Sequence, residues 1–355
     1  MDLSFRKSRD RRRRGAFTLL ELLVSVSVLA ILLVVVAQAV SGTGAVWKRT
    51  SNKGEQFREG RAAIESISRT LSQATLNPYW DYQRTSVTAP PTGYIRQSEL
   101  RFLSGPASAL GLGANRFSHG VFFQAPLGLT STPATTAGLQ RLLNTCGYFI
   151  EFGSDASFRP SFLGSRMPER YRYRLVEMRQ PSDQLTIYNF TSGADATGQP
   201  KALAYTGREW CLSPLSASTP PVQVLAENIV AMIVLPQLAK ADQTAYGLTP
   251  SSLAPAYLYD SSGDGQKSTN SLLGSKNQLP PVIEVKLVAI DEASARRCEK
   301  GSAIPDYGAG TLFDADADNI TQQLADLETA LRAKGISYEV LTAKIAVPGS
   351  KWSAP

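Results

Sequence analysis

Hydrophobic positions follow three regimes along the chain. From Phe17 to Val40 they are nearly continuous: no Lys, Arg, Asp or Pro interrupts the run, and Glu21 is its single charge. At about 1.5 Å rise per residue this run makes a helix of roughly 36 Å, enough to cross the hydrocarbon core of a bilayer. Next, Phe57, Arg61, Ile64, Ile67, Leu71 and Ala74 recur three and four residues apart, the spacing of an amphipathic helix. Gly42 and Gly44 weaken helix propensity between the two stretches and predict a flexible joint. Asn77-Pro78 predicts the stop, because the residue before Pro disfavours helical geometry.

Beyond Tyr79 the pattern shortens to apolar runs between turn residues. Val121–Gln124, Tyr148–Phe152 and Tyr171–Glu177 read as strands, joined by long loops such as Ser108–Asn115 and Ser131–Gly138. Val222–Val234 reads as a short turn leading into a buried strand. Leu279–Ile290 alternates with period two, a strand with one wet face. Lys240–Asn277, rich in Ser, Gly and Asp, reads as an insertion between them. Ile320, Leu324, Leu327 and Leu331 mark a helix near 319–334, capped by Asp318 or Asn319 and stopped by Gly335, and Ile336–Val347 reads as a closing strand. Strands are not regularly interleaved with helices, which makes the fold class α+β rather than α/β: a long N-terminal helix packed on an antiparallel β-sheet domain. The expected parts are a basic leader (1–16), an apolar helix (17–40), its amphipathic continuation (41–77) and a β-rich domain (78–355).

Charge sets the orientation. The first fourteen residues hold seven Lys/Arg against Asp2 and Asp10, so they carry +5 of the formal +7 and leave about +2 for the rest. This end is expected in the cytoplasm and the large remainder outside it. The basic balance belongs to the leader, and no nucleic-acid partner is expected. Glu21 costs on the order of 3 kcal/mol inside a membrane helix, so a plain anchor leaves it unexplained.

Phe17-Thr18-Leu19-Leu20-Glu21-Leu22-Leu23-Val24, behind Arg11 to Arg14, Gly15 and Ala16, resembles the signal of type IV prepilins and type II secretion pseudopilins. The resemblance implies a pilin-like fold and cleavage before Phe17 by a membrane prepilin peptidase at the cytoplasmic face. It also implies methylation of the new amine and assembly with other pilin or pseudopilin subunits. In that family Glu21 meets the Phe17 ammonium of a neighbouring subunit, each compensating the other. The family usually carries Gly before the Phe. Here Gly15-Ala16 leaves cleavage after Ala16 expected, with cleavage after Gly15 as the alternative. The implied location is the inner membrane, single-pass, with the C-terminal domain periplasmic until a periplasmic or surface filament assembles. Leu225-Ala226-Glu227-Asn228 and Leu279-Pro280 resemble turns before the paired C-terminal strands of minor pseudopilins of the J type. Tyr171–Tyr188 is similar to a pilin-like family without known activity, the Verru_Chthon cassette protein C group.

Residues with chemistry are few. Cys146, Cys211 and Cys298 have no metal-ligand spacing, and in an exported chain Cys146 with Cys211 is the expected disulfide. His119, the one histidine, sits in Asn115-Arg116-Phe117-Ser118-His119-Gly120 and is expected to be a solvated loop residue. Asp314, Asp316 and Asp318 place carboxylates at alternating positions, and Asp260–Gly265 is a turn-rich acidic loop. Counting from Asp314, Asn319 stands where an EF-hand needs Gly and Ala325 where it needs Glu, so that motif fails. A looser Ca2+ site on the three aspartates is the functional reading, since some pseudopilins carry calcium. An acidic helix start is the other. No further cofactor, phosphate-binding loop or catalytic constellation is present, so an enzyme is not expected. The competing function is a secreted or anchored binding or adhesion protein, with an ordinary signal peptide cut near Ala37-Gln38-Ala39.

Overall fold

The computed structural model describes residues 19–350 apart from 87, 133–138, 140, 161, 163–167, 189–206, 263–274 and 310–311. The chain divides into two compact units, Met1–Gly54 and Glu55–Pro355. Helix α1 (Leu19–Leu71) supplies the described part of the first and opens the second. It is unbroken at Gly42 and Gly44, where a joint was expected. It also ends at Leu71 and not at Asn77-Pro78, because pairing with the sheet takes over. Ala74 N–H donates back to Leu71 O at 3.0 Å, and Thr75 N–H donates to Gln124 O at 2.9 Å. Asn77 instead organises the next turn, its Oδ1 accepting from the N–H groups of Glu99 and Leu100.

In the second unit, β1 (Tyr79–Gln83) and β2 (Gly93–Gln97) form a separate antiparallel hairpin. Five long or short strands follow the chain: β3 (Leu103–Pro106), β4 (Arg116–Ala125), β5 (Asn144–Ser154), β6 (Tyr171–Gln180) and β7 (Val222–Glu227). With β9 (Tyr259–Asp260) they make a six-stranded antiparallel sheet in the order β7-β6-β5-β4-β3-β9. A second, three-stranded sheet has the order β11-β10-β8, from β8 (Ile229–Gln237), β10 (Val282–Ile290) and β11 (Tyr338–Ala346). The α+β class is therefore observed. The strands expected around 121, 148, 171, 282 and 338 are present, as is the late helix (Ile320–Ala333), stopped by Gly335 at φ +63°.

Three local readings change. Val222–Glu227 is a strand and not a turn. Asn228, at φ +59°, then sends the chain from the six-stranded sheet to the three-stranded one, a backbone region that Asn tolerates better than most residues. The expected loop at Ser108–Asn115 begins inside a short helix, α2 (Ala107–Leu110), whose ends are buried. The Ser/Gly/Asp-rich insertion also contributes core: Leu253, Tyr257 and Tyr259 are fully buried, and β9 closes one sheet edge.

Side-chain alternation on the strands feeds two apolar cores. Cys146, Tyr148, Ile150 and Phe152 of β5 join the main one, with Ile67 and Leu71 of α1 and most of β8 and β10. Phe149 faces the other, under α2 and α3 (Glu209–Leu215). The α1 stripe lies where it was expected at Ile64, Ile67, Leu71 and Ala74 and departs at Arg61. Ala63, Ile67, Leu71 and Ala74 are buried, whereas Arg61 is exposed and pairs with Glu339 at 2.9 Å. Gly60 replaces it against the small sheet: a Cβ there would lie 2.8 Å from Leu341 Cδ1, with Ala289 and Ile229 behind. Gly60→Ala needs only the Leu341 methyl to shift and recovers helix propensity. Gly60→Leu is expected to cost about 1–3 kcal/mol by overpacking, read as a lower urea midpoint of the full chain in detergent. Equal stability of the Leu variant would contradict the close approach.

Candidate functional site

The stretch of α1 from Leu19 to Gln38 is exposed on every face and apolar apart from Glu21, Gln38 and two serines. Leu19–Gln38 is long and apolar enough to cross a membrane, and none of it is buried within the chain. A helix apolar on every face needs an apolar surrounding, either lipid or other helices. Its hydroxyls are satisfied from within: Ser25 Oγ donates to Leu22 O at 2.9 Å and Ser27 Oγ to Leu23 O at 2.7 Å. Such back-bonding removes the cost of placing a hydroxyl in hydrocarbon. Glu21 stands on the exposed surface near the start of the described part of α1. The expected processing residues Gly15, Ala16 and Phe17 lie outside the described residues.

Residues 11–37 match the prokaryotic N-terminal methylation motif. No curated protein and no solved structure matches the chain. The methylation motif joins the basic cluster, Phe17 and Glu21 into one signal of the type IV pilin kind, and it points to a substrate of a prepilin peptidase. The apolar helix that carries it fits membrane anchoring, and the motif speaks for a structural pilin-like subunit rather than an enzyme.

The disulfide expected between Cys146 and Cys211 is absent; both thiols are free and buried. They belong to opposite faces of the six-stranded sheet, Cys146 in the main core and Cys211 under α3 in the other. Burial pushes the Cys146 thiol up to about 12 and raises that of Cys211 as well, so neither is a ready nucleophile. Cys298 is free and half-buried at the end of α5 (Glu292–Cys298).

The three aspartates do not converge. Asp318 accepts from Ser251 Oγ and from Thr249 Oγ1. Asp316 accepts from Asp318 N–H at 3.2 Å and from Asn319 Nδ2 at 2.6 Å. Asp314 stands apart, and partial burial raises its pKa. Among the described residues no group of three His, Cys, Asp or Glu side chains is placed to hold a metal ion. In the other acidic loop, Asp260 Oδ1 accepts from the backbone and hydroxyl of Ser262.

His119 is not a solvated loop residue. It lies in β4, fully buried, at a bulge where the β4–β5 register shifts between Phe117 and Gly120. Its Nδ1 accepts Val234 N–H at 3.0 Å, and Nε2 lies 2.8 Å from Phe313 O, which can only accept; the ring is therefore the neutral Nε2–H tautomer. Burial pulls its pKa down to about 4. Next to it Ser118 Oγ donates to Met232 O and accepts Met232 N–H. Both partners lie on β8, the outer strand of the small sheet, so these two side chains occupy edge groups left without a neighbouring strand.

Sequence reasoning also missed a buried carboxylate. Glu177 on β6 accepts from Tyr148 Oη at 2.6 Å and Gln223 Nε2 at 2.5 Å, and pairs with Arg179 at 2.8 Å. Thr70 of α1 hydrogen-bonds the same Tyr148. Alternation along Tyr171–Glu177 was the available signal, since it puts Glu177 on the face of Tyr173 and Leu175. The network fastens α1 to the sheet and is structural in kind.

Proposed function

We propose that the chain is a minor pilin or pseudopilin-like subunit, cut before Phe17 and N-methylated by a prepilin peptidase at the cytoplasmic face of the inner membrane. It then assembles with other such subunits into a periplasmic or surface filament of a type II secretion or type IV pilus-like system. The observation that carries this reading is the methylation motif over residues 11–37, continuing into a helix apolar on every face with one carboxylate at Glu21. A minor, J-like place is supported by Leu225-Ala226-Glu227-Asn228, the end of β7 and the bend that follows it. Its Asn228 takes the left-handed geometry and ties three elements together, donating to Tyr173 O at 2.7 Å and Glu292 at 2.9 Å and accepting from Ile290 N–H. The likeness of Tyr171–Tyr188 to the cassette-type family is the support for that affiliation.

Intact mass spectrometry of the N-terminus, on protein extracted from its native membrane, tests the proposal. A chain beginning with methylated Phe17 is expected. A start at Ala16 moves the cut by one bond and Glu21 with it, whereas a start at Val40 means an ordinary signal peptide and overturns the filament reading.

A further inference from the structure

A pocket of about 240 Å³ opens in the second unit between the β4 bulge and residues 304–309 and 312–314. Its walls are aromatic: Phe117 and Tyr173 meet edge to face at 5.3 Å, and Tyr173 and Tyr307 lie 5.5 Å apart. Phe313 completes the wall, and two carboxylates, Asp306 and Asp314, stand in the lining. Among the described residues no Lys, Arg or His side chain lines it.

Two hydroxyl donors of the lining are already used. Tyr173 Oη donates to Pro305 O at 3.1 Å, and Ser118 Oγ donates to Met232 O. The rest of the lining is aromatic rings, the Tyr307 hydroxyl, aliphatic side chains and two carboxylates. Asp306 is half of an ion pair with Lys334, Nζ to Oδ2 3.3 Å, which leaves Asp314 as the uncompensated charge among the described residues. Asp314 makes no hydrogen bond or ion pair with a described residue, so it has no evident structural duty. Two residues of the lining, Ser118 (φ +58°) and Phe313 (φ +68°), hold left-handed backbone that side chains other than Gly rarely adopt. Such geometry recurs at ligand clamps. The Phe313 carbonyl is gripped by His119, so the wall is fixed before anything binds.

We infer that this pocket binds an organic ammonium group, a cation carrying apolar substituents. Ring faces attract a positive charge through their quadrupoles, the apolar walls cover methyl or methylene groups, and Asp314 supplies the counter-charge. The volume is below the ~300–1,000 Å³ of pockets for drug-sized ligands, which suits a single small head group. Two sources share this chemistry: a free quaternary ammonium compound, and a lysine side chain offered by another protein. The inference is independent of the filament reading, because it concerns the second unit alone.

Isothermal titration calorimetry on the full chain, held in an uncharged maltoside detergent, tests it. Choline, tetramethylammonium, Nα-acetyl-lysine methyl ester and the neutral isostere 3,3-dimethylbutan-1-ol are the probes. Saturable binding of at least one cation is expected, with a dissociation constant of about 1 mM or tighter and about tenfold above the isostere. Asp314→Asn is expected to weaken it about tenfold with the thermal unfolding curve unchanged. Preference for choline identifies a free ligand, and preference for the lysine ester identifies a partner's side chain. Equal binding of the isostere, no saturation by any cation, or full affinity in Asp314→Asn would overturn the assignment.

Discussion

Glu21→Ala is expected to leave insertion and N-terminal processing intact and to reduce incorporation into filaments about a hundredfold or more. The two effects have opposite signs, which makes the result diagnostic. Removing a carboxylate from an apolar helix favours the membrane by about 3 kcal/mol, so the variant should accumulate there at least as well as the wild type. On the pairing proposed for the assembled filament, the same change leaves the Phe17 ammonium of a neighbour without its counter-charge. Breaking a buried pair from one side costs about 3–5 kcal/mol, and 3 kcal/mol is already more than a hundredfold in an equilibrium. Fractionation of membranes against sheared filaments, with N-terminal mass measured in both pools, separates the steps. Glu21→Asp, which keeps the charge on a shorter arm, should lie between. Normal assembly of the alanine variant would sink the pairing idea.

The signal end of this chain was legible because its physics is local. A basic cluster, a membrane-length apolar run and one carboxylate at a fixed distance from Phe17 can be read without knowing any fold. Strand existence was also legible, since alternation survives wherever one sheet face is wet or the run is bounded by turns. What failed depended on long-range contact. Arg61 and Gly60 exchange places because the stripe is set by where Leu341 and Ala289 lie, not by spacing alone. Cys146 and Cys211 look equivalent as residues of an exported chain. A sheet separates them, and which face each takes is decided by register. Asp314, Asp316 and Asp318 alternate as strand ligands would, yet the segment is turn and helix start, so Asp316 and Asp318 take different partners and Asp314 takes none among the described residues.

One consequence concerns how the second unit is fastened. Its two larger sheets do not share a backbone ladder; they meet through packed side chains, through the backbone bonds of Asn228 to Tyr173 and Ile290, and through Ser118 and His119 reaching from β4 to β8. The other tie is the charged cluster in which Arg172 reaches Glu299 and Glu292, and Arg170 reaches Glu292 at 2.8 Å. The first tie is neutral and the second ionic. They respond to acid through different groups, and the histidine responds first.

His119→Ala is expected to cost about 3–5 kcal/mol at pH 7, because it leaves Val234 N–H and Phe313 C=O buried without partners and opens a void against Tyr257, whose ring lies 4.8 Å away. The wild type has its own weakness at this position. Burial lowers the folded-state pKa of His119 from 6.5 to about 4, so the folded protein prefers the neutral ring. Above pH 6.5 neither state binds the proton and the group makes no pH-dependent contribution. As pH falls from 6.5 to about 4 the unfolded chain takes up a proton that the folded chain refuses, and about 3 kcal/mol of stability is lost. The carboxylates held below their ordinary range, Asp155, Glu284, Glu292 and Asp306 among them, lose their contributions at lower pH, as each is protonated through its depressed folded pKa. Those losses are common to wild type and variant. The discriminating comparison is therefore His119→Gln, which keeps a neutral donor and acceptor in place. Urea unfolding at pH 7 and pH 4.5 should show the wild type losing about 2–3 kcal/mol more than His119→Gln over that interval. Parallel losses would mean that the folded protein takes up a proton at His119 as readily as the unfolded chain does, which would contradict a buried neutral ring that accepts the Val234 N–H.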